Sequence, residues 1–226
     1  MKYQPKRLTK RLFTLLILSF SLPFATQFQM AAQAQTAAEN PEGALAFVDK
    51  LANDALAVLN DVTITQEERD QAFRDLLADG FDLGYIGKLV LGSHRRRATP
   101  EQLAEYNRIF PEYVLRIYAS RLTEFGDERF VVGTTQKAGK RDIYVRSQVV
   151  RPDGPPISAD WRVRLVNGEF KVVDLRIEGI SMVITQRDEF AAKISKDGLD
   201  SLIEGLRRRA GLSRDDGDSS ANNAAL

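Results

Sequence analysis

RDIYVRSQVVRPDGPPISADWRVRLVNGEFKVVDLRIE, residues 141–178, sets apolar side chains at every second position through three successive runs. Ile143, Val145 and Val149 alternate in the first run, with Ser147 in phase. Trp161, Val163 and Leu165 alternate in the second, and Val173, Leu175 and Ile177 in the third. A period of two is that of a strand, whose successive side chains point to opposite faces. Arg141–Arg151, Ile157–Val166 and Glu169–Glu178 are therefore predicted strands, preceded by a fourth at Arg129–Gln136. Asn167-Gly168 is a two-residue hairpin signal, and Pro152-Asp153-Gly154-Pro155-Pro156 forms a longer turn, so the sheet is antiparallel in the main. One face is apolar. The other bears Arg162, Arg164, Val172, Asp174, Arg176 and Glu178. Such alternation serves a filled core and an apolar cavity alike.

Upstream the period lengthens to that of helices. Leu45, Val48, Ala52, Ala55, Leu56 and Leu59 recur at helical steps, predicting an amphipathic helix over Ala44–Asn60. Thr65-Gln66-Glu67-Glu68 is a capping box that opens a helix ending near Gly80. Phe81–Leu91 is a shorter helix stopped by Gly92. Thr99-Pro100-Glu101-Gln102 opens a long helix that Pro111 is expected to kink and Gly126 to end. Downstream of the strands, Gln186–Ser195 and Gly198–Arg209 are predicted helices, the second capped by Asp197. Helices before strands predict one α+β domain, residues 43–210, with a curved antiparallel sheet of about four strands packed by helices.

The two ends of the chain read differently. Lys2, Lys6, Arg7, Lys10 and Arg11 precede an apolar run of about 13 residues, Leu12–Phe24, and Ala32-Gln33-Ala34 supplies a cleavage site. That is the pattern of a secretory signal peptide over residues 1–34, and the run is shorter than the roughly 20 residues that span a bilayer. Residues 35–42 are expected to be a flexible mature N-terminus, and 211–226 a disordered tail. Of 32 basic and 31 acidic residues, five basic ones precede residue 35, leaving 27 against 31 in the exported part. A mildly acidic domain speaks against nucleic acid as a partner. The chain has no cysteine, which excludes disulfides and thiolate chemistry.

Catalytic chemistry finds little to work with. His94 is the one histidine. Asp160, Asp174 and Glu178 are the carboxylates a hydrolase or isomerase would use, yet their alternation with arginines suits cross-strand ion pairing. Ser93-His94-Arg95-Arg96-Arg97 lacks the spacing of a phosphate loop, and Arg207-Arg208-Arg209 sits where a helix C-terminus favours positive charge. An exported small enzyme and an adaptor with a merely packed face are the competing readings.

Several segments together resemble a known family. They are Phe81-Asp82, Leu89-Val90-Leu91-Gly92, Ala98-Thr99-Pro100-Glu101-Gln102, Tyr118-Ala119 and the stretch from Asp174 to Val183. Arg187, Glu189, Phe190, Asp197-Gly198-Leu199-Asp200 and Leu202 complete the pattern. The chain resembles the MlaC, or toluene-tolerance, family of periplasmic phospholipid-binding proteins. That resemblance implies a nuclear-transport-factor-like fold around a deep apolar cavity, with a glycerophospholipid as cargo, no cofactor and no catalysis. The implied partners are an outer-membrane lipoprotein complex and an inner-membrane ABC transporter with MCE domains. The implied role is lipid transport that maintains outer-membrane asymmetry; a monomer is the default expectation, apart from the resemblance. Within that frame the expected tail contacts are Val145, Val149, Trp161, Val163, Val173, Leu175 and Ile177 on the sheet, with Leu89, Val90, Phe110, Val114 and Tyr118 on helices. Asp174 and Glu178 are expected to orient the corner between sheet and helix.

Overall fold

Side chains three residues apart start most of the helices. Thr65 Oγ1 accepts from the Glu68 amide at 3.2 Å while Glu68 accepts from the Thr65 amide at 2.8 Å. Thr99 and Gln102 exchange the same pair at 3.2 and 3.0 Å. Both boxes satisfy amides that the first helical turn leaves without partners. In the computed structural model, which describes residues 36–122 and 128–213, the helices are α1 (Pro41–Asn60), α2 (Gln66–Gly80), α3 (Leu83–Leu91), α4 (Pro100–Leu122), α5 (Met182–Asp197) and α6 (Leu199–Ala210). The signal segment, the helix stop at Gly126 and the tail beyond Ser213 lie outside the described residues.

The strands are β1 (Arg129–Ala138), β2 (Asp142–Val150), β3 (Ile157–Val166), β4 (Glu169–Ile177) and β5 (Ile180–Ser181), in the order β1-β2-β3-β4-β5 and antiparallel throughout. The expected α+β architecture holds, with a fifth strand added. β5 has two residues, too few to show a period, and follows a tight turn in which Glu178 and Gly179 both have positive φ, 49° and 79°. The sheet is open, with helices packed on its inner face.

Several boundaries move for identifiable reasons. Residues 36–42 are not loose: Ala37–Glu39 form a 3-10 turn, Asn40 accepts from the Gly43 amide at 2.9 Å, and α1 begins at Pro41. Ala37 is wholly buried, packed with Ala44 and Val48 against Ile143, Val145 and Val163. A small residue is what this narrow space admits. α5 starts four residues earlier than the sequence predicts because Ser181 caps it, accepting from the Ile184 amide at 3.1 Å. Asp197 does not cap α6. It pairs with Lys193 at 2.7 Å, and Gly198 turns the chain at φ 83°. The chain stays packed beyond Gly211, since the Leu212 amide bonds the Arg207 carbonyl at 3.1 Å and Leu212 joins the helical core.

A bulge in β4 changes which side chains face inward. Arg162 pairs with Asp174 but Val163 pairs with Val172, so Val173 is an extra residue without a partner. Val172, expected on the outer face, therefore shares the inner face with Leu175 and Ile177.

The main core lies among α3, α4, α5 and α6, around Tyr106, Ile109, Phe110, Phe190 and Leu206. α3 and α4 meet closely at Gly87, whose carbonyl accepts from Tyr106 Oη at 3.0 Å. A Cβ on Gly87 would stand 2.9 Å from Phe110 Cδ1. Gly87→Ala is expected to cost about 1–3 kcal/mol through overpacking, read as a lower midpoint in thermal melting.

Candidate functional site: an apolar cavity between sheet and helices

The N-terminal half of α1 fills one end of the inner sheet face, and the other end stays hollow. A cavity of about 430 Å³ lies there. α1 contributes Leu51, Ala52, Ala55, Leu56 and Leu59, the same stripe that packs the core one turn earlier. α2 adds Phe73, Leu76 and Leu77, α3 adds Leu83, Ile86 and Val90, and α4 adds Phe110, Val114 and Tyr118. From the sheet come Phe130, Val149, Ile157, Ala159, Trp161, Leu175 and Ile177, and from α5 Met182, Val183 and Gln186.

The polar atoms near this wall are mostly engaged elsewhere. Trp161 Nε1 donates to Ser147 Oγ at 2.9 Å, and that hydroxyl donates to the Ala159 carbonyl at 2.8 Å. The indole ring thus gives the cavity its apolar surface, edge-on to Phe130 with centroids 5.9 Å apart. Asp174 is buried, and its carboxylate accepts from Ser181 Oγ at 2.7 Å and from the Val183 amide at 3.2 Å. Negative charge at a helix N-terminus is favourable, so Asp174 anchors the start of α5 and with it Met182, Val183 and Gln186. Glu178 accepts from the Ser158 amide and donates its own amide to the Ser158 carbonyl at 3.0 Å, closing the corner.

Of the tail-contact residues expected from sequence, Val90, Phe110, Val114, Tyr118, Val149, Trp161, Leu175 and Ile177 come together on the wall. Leu89, Val145, Val163 and Val173 do not. Leu89 sits one position beside the Leu83, Ile86, Val90 stripe of α3. Val145 and Val163 are on the right face at its filled end, under Ala37, Ala44 and Val48. Val173 is displaced by the bulge. The α1 and α2 residues of the wall are not among those expected from sequence, although the α1 stripe runs on past the length that core packing uses.

The candidate catalytic groups are dispersed. Asp160 lies on the outer sheet face opposite Arg146 and Arg176, Glu178 in an exposed turn, and His94 in the 3-10 turn Gly92–Arg96. Among the described residues no group of three His, Cys, Asp or Glu side chains could hold a metal ion, and no helix is long and apolar enough to cross a membrane.

Known proteins resemble this chain in fold and in sequence. A phospholipid-binding protein from Ralstonia solanacearum, solved in complex with a phospholipid, superimposes with a TM-score of 0.65 at 26% identity, covering 74% of this chain and 97% of that one. The intermembrane phospholipid transport system binding protein MlaC of Haemophilus influenzae is 26% identical over 166 residues, 72% of this chain and 78% of the relative. The toluene tolerance protein ttg2D of Pseudomonas putida is 25% identical over 137 residues, 59% of this chain and 64% of the relative. The profile of the MlaC protein family matches residues 49–208, from the cavity-lining half of α1 through α6. With that span and this fold, the chain belongs to the MlaC family.

Proposed function

We propose that this protein is a periplasmic carrier of glycerophospholipid, holding the acyl tails in the cavity with the headgroup near solvent. It is exported by the segment 1–34 and works as a monomer between an outer-membrane lipoprotein complex and an inner-membrane MCE-domain ABC transporter, as the family's lipid-transport role suggests. The observation that carries this reading is the hollow itself. A volume of 430 Å³ falls in the range of ligand sites. Water that enters it meets a wall that is apolar almost throughout, at a cost of roughly 25 cal/mol per Å² of apolar surface left exposed. An apolar ligand offsets that cost. Catalysis is not proposed, because the wall's buried carboxylate, Asp174, is committed to the start of α5.

The magnitudes also dictate the mode of transfer. Each methylene withdrawn from water is worth roughly 0.8 kcal/mol, so two tails of about 15 methylenes would gain on the order of 24 kcal/mol, beyond the ceiling of about 18–21 kcal/mol for non-covalent affinity. Release into water is then too slow to matter. A bilayer or an apolar partner site solvates tails as well as the cavity does, so exchange needs contact with a partner rather than fuel in this chain.

The test is to purify the exported protein from a periplasm without detergent and to combine native mass spectrometry with organic extraction. Added mass in phospholipid units, matched in the extract, is expected. A bare protein mass with no uptake from phospholipid vesicles would overturn the carrier.

A further inference from the structure

Charge is distributed unevenly between the layers of this fold. Residues 36–80, which include α1 and α2, carry ten carboxylates against three cations, whereas residues 129–178, the β1–β4 segment, carry ten cations against six carboxylates. Since the inner sheet face is apolar, the sheet's positive charge is concentrated on its outer face and hairpin tips. Strand register sets Arg146, Asp160 and Arg176 in one row and Tyr144, Arg162 and Asp174 in the next. The Arg176 guanidinium is braced on the Tyr144 ring, 4.3 Å from the centroid, whereas Arg162 and Arg164 are spent on Asp142. Lys137, Lys140 and Arg141 extend the same sign along the β1–β2 hairpin tip.

We propose that the outer face of the sheet, centred on Arg146 and Arg176, is a docking surface for an acidic protein surface. The Arg176 guanidinium, held flat by the Tyr144 ring, presents its donors in a fixed fork, the geometry that carboxylates accept in pairs. Two features favour an acidic protein over an anionic bilayer. Between Tyr144 and Arg176 the face has no aliphatic side chain to anchor in lipid. A bilayer lying on it would also be cut off from the cavity by the thickness of the sheet, because Trp161, Leu175 and Ala159 reach the cavity from the opposite face. A surface of this kind raises the rate of encounter more than the lifetime of the complex, which suits a protein that must dock and leave repeatedly. The acidic α1–α2 layer disfavours the reverse approach.

The inference rests on the carrier reading only for its probe, the purified MCE-domain transporter of the same organism, immobilised in detergent. Association rates are measured with the full exported chain from about 0.01 M to about 1 M salt, over which the Debye length falls from ~30 Å to ~3 Å. Arg146→Glu with Arg176→Glu, and the milder pair Arg146→Gln with Arg176→Gln, are compared with Asp49→Lys with Glu67→Lys on the acidic layer; circular dichroism melts check folding. At low salt the sheet variants are expected to associate at least about tenfold more slowly, with a flattened salt dependence, while the helix variant does not slow. Wild-type association that ignores salt, or sheet variants that associate like wild type, would overturn the proposal. Sheet variants that lose flotation with phosphatidylglycerol vesicles while keeping transporter association would overturn it too, in favour of a membrane. Lipid occupancy is read separately by native mass spectrometry, so a protein free of lipid sinks the carrier reading while the docking rates still decide this one.

Discussion

Leu175→Asp is expected to yield a folded protein that purifies without phospholipid, whereas Val163→Asp is expected to yield no folded protein. The two side chains stand on the same sheet face, on the neighbouring strands β4 and β3, and differ in what lies over them. Leu175 is half-buried on the cavity wall beside Trp161, where water can reach an empty cavity and solvate a carboxylate. Acyl tails cannot lie against that charge without stripping its water. Even ~3 kcal/mol of lost tail binding is more than a hundredfold in affinity. Val163 is wholly buried among Ala37, Ala44, Val48, Ile143 and Val145. A carboxylate there has no water and no cation, and the penalty of several kcal/mol consumes most of a stability of about 5–15 kcal/mol. Lipid per protein after detergent-free purification, together with thermal melts, checks both. A folded Leu175→Asp protein that still carries wild-type lipid would remove this wall from the binding site. A packed adaptor with no lipid role would instead unfold with both substitutions.

Asp142→Asn is expected to lower stability by about 3 kcal/mol, or roughly 6–12 °C in melting temperature for a domain of this size. Asp142 is buried at the start of β2 and receives Arg164 Nε at 2.6 Å, Arg164 Nη2 at 2.9 Å and Arg162 Nε at 2.7 Å. Burial pushes its carboxyl up, but the Arg164 hydrogen bonds and the charges of Arg162 and Arg164 outweigh it and hold the group below the ordinary carboxylate range. The amide keeps one acceptor and leaves the largely buried Arg164 without a counterion; Arg162, a third exposed, recovers water and limits the loss. The pH dependence has a definite sign. A carboxyl whose native pKa is depressed contributes fully above its unfolded value of about 3.9, and that contribution is lost as pH falls through the lower native value. Wild type should therefore lose stability steeply below about pH 4, and the asparagine variant less steeply. Urea melts across pH 2–7 read this, and parallel curves for the two proteins would remove Asp142 from the account.

Local physics was legible in the residues. Thr65 with Glu68, Thr99 with Gln102 and the Asn167-Gly168 turn act within two or three positions, so their hydrogen bonds form wherever the chain goes, and each opens or reverses an element where the sequence predicts. The four long strands and the apolar inner face followed from alternation for the same reason. Longer-range events were not legible. The extra residue Val173 in β4 leaves no mark on the alternation of the sequence, and it brings Val172 in place of Val173 to the inner face. Ala37 looked like part of a loose terminus because an alanine carries no signal of the narrow space it fills. The family resemblance named a cavity, but the residues alone left a filled core and a hollow one equally open, since an apolar side chain is apolar whether it meets another side chain or a bound tail. That was decided by where the helices lie: the first half of α1 descends onto Ile143, Val145 and Val163, while Leu51 to Leu59, with α2, stand off from Trp161 and Leu175 and leave a space the chain does not fill.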